Sequence, residues 1–187
     1  SAASDVYKRQ INVDIPQSQI DMYQPGILNT VSHLGKVWGY PRAFSTKALF
    51  MNCDLLEQAG VACEGPQTWD ELYSMAEAVT NNVPGVAGIG LTGKDFDNTM
   101  HQFLNYLYSN GGQVIDPDTN TITLNSSNTV EALAFYGKLA NVAQEGPLAY
   151  ERSQLRDLLN DKKIAMYIDG PWAVSYTHLR AHETFRY

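Results

Sequence analysis

The sequence predicts an α/β fold, and three observations carry that prediction. Short apolar runs at residues 48–52, 87–91 and 164–168 read as buried strands, and amphipathic stretches of helical length lie between them. Helix start and stop signals bracket those stretches: Thr68-Trp-Asp-Glu71 spells a capping box and Gly60 and Gly111-Gly112 stand where helices end. The composition, 44 % hydrophobic and 18 % charged, is that of a globular chain with enough apolar material for a core.

Residues 11–34 are polar, with Pro16, Pro25 and Gly26 as breakers, and leave room for a short helix over 17–24 or 26–33. Residues 35–41 read as a strand, a glycine break and a second strand. Residues 48–52 follow as a buried strand, and 54–60 as a short helix stopped by Gly60. After the capping box, Trp69, Leu72, Tyr73, Ala76 and Val79 recur at helical spacing, which places them on one buried face. Residues 87–91 are strand-like. A helix over 98–109 turns Met100, Phe103, Leu104 and Leu107 inward. Residues 114–115 and 122–124 pair as a hairpin around Asp116-Pro-Asp-Thr-Asn120. Helices over 128–144 and 151–160 precede the last strand, 164–168, after which Pro171 suits the first position of another helix. No internal repeat interrupts this order.

The formal net charge is −7, and the body of the chain has one Lys-Lys pair, Lys162-Lys163. Nucleic acid and anionic membrane surfaces call for clustered cations, so neither is expected as a partner. No apolar run is long enough to span a bilayer. Cys53 and Cys63 stand outside any Cys-x-x-Cys pair, which with two histidines in the body gives zinc little support. A short disulfide in an oxidising compartment and two free thiols are both open. No metal and no cofactor are expected.

Gly88-x-Gly90-x-x-Gly93 has the spelling of a dinucleotide loop, but two of its glycines lie within the strand rather than after it. Gly93-Lys94 approaches a P-loop, yet Asp95 stands where Ser or Thr would bind magnesium. Asp95 and Asp97 are the carboxylates a glycoside-acting enzyme would use, although first-turn charge against a helix dipole explains them more simply. His33 and His101 are isolated and form no nucleophilic set. Asn125-Ser-Ser127 spells a glycosylation sequon, and polar residues ahead of a helix are ordinary caps.

The two ends have a different character. Asp5-Val-Tyr-Lys-Arg-Gln10 resembles the translated mosaic end of a transposase adapter from sequencing libraries, and residues 174–184 resemble the partner adapter in reverse complement. On that resemblance residues 1–10 and 174–187 are not native, His178 and His182 are no metal pair, and the body carries −9 once the +2 of the ends is removed.

Three segments together resemble one family. Residues 39–60 resemble its segment of Tyr-x-x-Pro, an apolar strand, then Tyr-Asn-Lys-Asp-Leu-Phe and Ala-Gly, here with Tyr40 directly before Pro41. Pro66-Gln-Thr-Trp-Asp-Glu-Leu72 is similar to its Pro-Lys-Thr-Trp-Asp-Glu-Leu. Residues 160–172, ending Ile-Asp-Gly-Pro-Trp172, are similar to its Gly-Lys-x-Ala-Met and Gly-Pro-Trp. The family is the extracellular solute-binding proteins of the maltose-binding type, sugar receptors of bacterial ABC importers. Met51 and Cys53 depart from its usual Tyr and Lys.

The resemblance implies a periplasmic-binding-protein type II fold, truncated to one nearly complete lobe plus hinge. Residues 11–45 would be part of the N-terminal lobe and hinge, and 46–173 a portion of the C-terminal lobe. It implies a carbohydrate ligand between lobes, permease subunits as partners, a monomer, no catalysis, and a place in the periplasm or as a lipoprotein on the outer face of the membrane. Trp172 would be the aromatic that stacks on the sugar. Phe44 and Ser45 fall at the hinge crossing, where the maltose-binding relative has a ligand carboxylate that Ser45 replaces. Asn98 and His101 start a helix after a strand end, where open α/β sheets bind ligands.

Overall fold

The computed structural model describes residues 15–174. The segments read as adapter sequence, with His178 and His182, lie outside these residues except for Val174. The chain forms two compact units, divided between Ser45 and Thr46.

In the first unit, α1 (Gln17–Ile20) and α2 (Pro25–Asn29) are single turns, each entered through a proline. The two alternative helix placements are thus both occupied, in shorter form. Strands β1 (Ser32–His33) and β2 (Lys36–Val37) make a hairpin with His33 opposite Lys36. Leu34 and Gly35 both adopt positive φ, 51° and 73°, as a tight two-residue turn requires. This corrects the reading of 35–41 as two strands: Gly35 is the turn itself, and residues 38–47 have no regular structure.

The second unit is built on β3 (Ala48–Met51), β4 (Ala87–Ile89) and β7 (Ile164–Asp169), in the order β3-β7-β4. Between them come α3 (Cys53–Gln58), α4 (Trp69–Asn82), α5 (Asp97–Ser109), the hairpin β5 (Ile115–Asp116) and β6 (Thr121–Ile122), α6 (Ser127–Leu139) and α7 (Arg152–Asn160). The middle strand, β7, is buried along nearly its whole length, which explains its unbroken apolar spelling. It runs parallel to β4, with Ile89 opposite Met166, and antiparallel to β3, with Ala48 opposite Asp169.

One core cluster joins α3, α4, α5 and α6 through Leu56, Val79, Ile89, Tyr106, Leu139 and Met166. A second, smaller cluster packs α7 on the sheet through Leu155, Leu159, Ile164 and Tyr167. Cys53 and Cys63 are disulfide-bonded, closing the start of α3 onto the loop that leads to α4. Of the two alternatives left open by the sequence, the disulfide is the one present.

The helix signals act locally. Asn52 caps α3 by accepting from Leu55 N–H, and Thr68 caps α4 by accepting from Glu71 N–H at 3.1 Å. The expected reciprocal bond is displaced by one residue: the Glu71 carboxylate takes the N–H of Gln67, not that of Thr68. Met100 is exposed, correcting its inward placement, because α5 buries Gln102, Tyr106 and Leu107 on a face rotated away from it. The helix expected over 128–144 ends at Leu139 and tightens into a 3₁₀ turn over Ala140–Val142. Ala143 is then free to bridge Ile89 at the outer edge of β4. Among the described residues no helix is long and apolar enough to cross a membrane.

Candidate functional site

Parallel β4 and β7 end on the same side of the sheet, and the chain leaving each of them carries the polar groups of the site. A buried network fixes those two exits. Gln102 on α5 accepts from the Thr92 N–H beyond β4 and donates from Nε2 to the Ile168 carbonyl on β7, at 3.3 and 3.1 Å. The Tyr136 hydroxyl of α6 donates to the Thr92 carbonyl at 2.6 Å, and burial pushes its pKa up to about 12, so it remains a donor at neutral pH. Gln144 pairs both backbone groups of Leu91 with its side-chain amide. The polar backbone leaving β4 is thereby satisfied without water, and the loop from Gly93 to Phe96 starts from a fixed base.

That loop leads into α5, whose first turn faces the first turn of α7 across an open pocket of about 410 Å³. Phe96, Asp97, Asn98 and His101 line one side, and Glu151, Arg152 and Ser153 the other. The lining combines hydroxyl, amide, imidazole, carboxylate and guanidinium groups with one exposed aromatic ring, a mixture suited to a solute with many hydroxyls. The Asn98 Nδ2 is buried and has no hydrogen-bond partner, whereas His101 is exposed.

Trp172 stands just past the end of β7, half-buried. Its indole N–H donates to Asp169 Oδ1 at 2.7 Å, and the Gly170 N–H donates to the same oxygen at 2.8 Å. Arg152 places its guanidinium carbon 4.8 Å from the centre of the Trp172 ring, linking the ring to the pocket that Arg152 also lines. Lys47 lies ahead of β3; because Ala48 pairs with Asp169, its ammonium reaches the same ring, 4.5 Å from the centroid. A Cβ on Gly170 would overlap the Trp172 six-membered ring, so glycine is required there by packing.

Asp169 is 1 % exposed, and its Oδ2 has no hydrogen-bond partner. Burial pushes its carboxyl above the usual carboxylate range, against the opposing pull of the Gly170 and Trp172 N–H groups and the Lys47 and Arg152 charges. Burial likewise lowers Lys47 below the ordinary ammonium value, with Asp169 working the other way. The Tyr167 hydroxyl, two residues back on the same strand, is buried without a partner, and burial raises its pKa strongly.

Of the residues singled out from sequence, Asn98 and His101 share one pocket, and Trp172 adjoins it through Arg152. Phe44 and Ser45 are exposed and belong to the first unit. Asp97 lines the pocket; Asp95 is exposed and outside its lining. Asp169, Lys47 and Arg152 were not anticipated. A charged residue closing an apolar strand was the available signal for Asp169, but the two cations come from distant segments, Lys47 brought in by the sheet register and Arg152 by the packing of α7. Among the described residues no group of three or more His, Cys, Asp or Glu could hold a metal ion.

A family model described as bacterial extracellular solute-binding protein matches residues 2–182. A putative binding protein of Brucella abortus (strain 2308) is 29 % identical over 140 residues, covering 74 % of this chain and 33 % of the relative. An ABC-transporter solute-binding protein from Thermotoga lettingae TMO, solved with alpha-D-tagatose, superposes with a TM-score of 0.75 at 27 % identity, over 84 % of this chain and 41 % of that one. Maltose-bound MalE3 of T. maritima gives 0.74 at 28 % identity, over 84 % and 40 %. The fold is therefore that of the periplasmic binding proteins of the maltose-binding type. The chain spans about a third of the length of the curated relative and about two fifths of the solved ones.

Proposed function

The chain belongs to the bacterial extracellular solute-binding protein family, and from that premise we propose that it captures a sugar or oligosaccharide for a bacterial ABC importer. The solute lies in the pocket between α5 and α7, stacked on Trp172, with Asn98 and His101 meeting its hydroxyls. Permease subunits take it from there, and no covalent chemistry occurs. The receptor works as a monomer, in the periplasm or lipid-anchored on the outer face of the membrane. The Cys53–Cys63 disulfide supports an oxidising compartment. Phe44 and Ser45 remain ligand candidates on the family resemblance alone.

One observation carries the reading: an aromatic ring and several unlike polar side chains converge where two parallel strands end. Pyranose rings offer an apolar face to an indole and hydroxyls to polar partners. The Asn98 Nδ2, buried without a partner in the lining, is a donor for such a hydroxyl.

The test is titration with maltose, followed by the ¹⁵N–¹H resonance of the Trp172 indole, with recovery of the sugar afterwards. A saturable shift with the sugar intact is expected. W172A, followed by calorimetry because the reporter indole is gone, should weaken binding about tenfold, the equivalent of roughly 1.4 kcal/mol. Cleavage of the sugar, abolished by D97N, would replace this reading with the glycoside-acting enzyme. No response to maltose, tagatose or arabino-oligosaccharide at about 100 mM, well above the millimolar dissociation constant expected of this part alone, would remove the sugar reading.

A further inference from the structure

We propose that Asp169 is a positioning residue for solute capture: its buried carboxylate fixes the Trp172 indole in the orientation the solute meets. The proposal rests on the reading of Trp172 as a ligand contact and goes beyond it, because Asp169 itself does not reach the pocket lining.

The geometry is specific. Oδ1 receives two N–H groups, from Gly170 at 2.8 Å and from the indole at 2.7 Å. The first sets the backbone that leaves β7; the second sets the side chain that this backbone projects. Gly170 leaves room for the six-membered ring to lie against the backbone, and the Lys47 and Arg152 cations stand 4.5 and 4.8 Å from its centre. A tryptophan held in this way loses little rotamer freedom when a sugar stacks on it, so the ordering cost is met in the unliganded protein.

A carboxylate is the suitable group for this task. A charged acceptor makes the shorter, stronger bond to an indole N–H. It also offsets two cations that would otherwise repel each other beside the ring. The titratable and charged groups that face it are Lys47 ahead of β3, Arg152 on α7 and Tyr167 on its own strand; Arg156, one turn along α7, faces Tyr167. Of these, the Tyr167 hydroxyl is held neutral by burial, and Asp169 is the carboxylate that accepts from the ring N–H. Its carboxyl takes up a proton above the usual carboxylate range, which ties capture to pH.

The experiment uses ¹⁵N-tryptophan-labelled protein. Its indole resonances come from Trp38, Trp69 and Trp172, with the last assigned through W172F. The Trp172 indole should lie furthest downfield, since Trp38 donates to a neutral carbonyl at 3.0 Å and Trp69 to a hydroxyl at 3.3 Å. In D169N it should move upfield while the Trp69 signal, a core reporter, stays in place. Maltose affinity should fall about tenfold in that variant. In wild type the same resonance should titrate with a midpoint above that of an ordinary carboxylate, a measurement that needs no variant to fold. An unmoved Trp172 signal in both measurements overturns the positioning role. A moved signal with unchanged maltose affinity overturns its part in capture. A wild type that ignores maltose, yet shows the D169N shift, sinks the sugar reading and leaves the Asp169–Trp172 coupling standing.

Discussion

Asp169 serves the site at a cost to the fold. Its pKa is raised in the folded chain because burial removes water from the carboxylate faster than its two N–H donors and two cations can replace it. The folded state therefore binds a proton more readily than the unfolded state does. Stability from this group is highest when the pH is low enough to protonate it, falls as the pH rises from the ordinary carboxylate value through the raised one, and is lowest above both. At neutral pH the charge is a net burden, and D169N, which keeps the shape and an acceptor oxygen, should melt higher than wild type by thermal denaturation. The same substitution is expected to weaken maltose capture, and stability gained with function lost is the signature of a residue placed for a ligand. A lower melting temperature for D169N at neutral pH, with no difference at acid pH, would mean that the charge stabilises the fold, contrary to this account.

Helices and strands were legible where one local signal decided them, and less so where two segments had to meet. Asn52 and Thr68 cap their helices because side chain and partner N–H lie within one turn; the Thr68 start is spelled by a capping box, whereas Asn52 reads as the end of the strand before it. Gly88-x-Gly90 invited a nucleotide reading because its spelling is shared; its physical cause is the contact of β4 with α4. A Cβ on Gly88 would overlap the Ala76 carbonyl of α4, a backbone group with nowhere to go. Gly88→Ala should destabilise the chain by about 2–4 kcal/mol, as overpacking and strained core substitutions do. Gly137→Ala is the control: this helical glycine in α6 has open space where its Cβ would go, and alanine there should stabilise by roughly 0.5–1 kcal/mol. Urea denaturation reads both, and a similar loss in the two variants would refute the close-approach argument. The disulfide acts on the same scale. It closes a loop of sequence separation 10, which in the chain-entropy account corresponds to about 2–3 kcal/mol, so reduction should lower the urea midpoint without changing the far-ultraviolet spectrum in the folded baseline.

For the whole molecule, three sequence segments sufficed for the family, because each spells a piece of local geometry: the entry to β3 and α3, the cap of α4, and the passage from β7 to Trp172. The site was only half legible. Asn98 and Trp172 follow strand ends, a place that a strand pattern marks, whereas Lys47 and Arg152 reach Trp172 through the antiparallel register of β3 on β7 and the packing of α7, neither of which has a local spelling. Scale also governs affinity. Tight capture of a small solute calls for most of its surface to leave water, and the pocket between α5 and α7 is open. The solved relatives that carry tagatose and maltose are more than twice as long as the part this chain matches. The chain by itself should therefore bind maltose with a dissociation constant of about 1 mM or weaker, near −4 kcal/mol, measured by indole-resonance titration. Micromolar binding would require several further kcal/mol from residues 15–174 alone, and would mean that the solute is enclosed by this chain without contribution from any additional lobe.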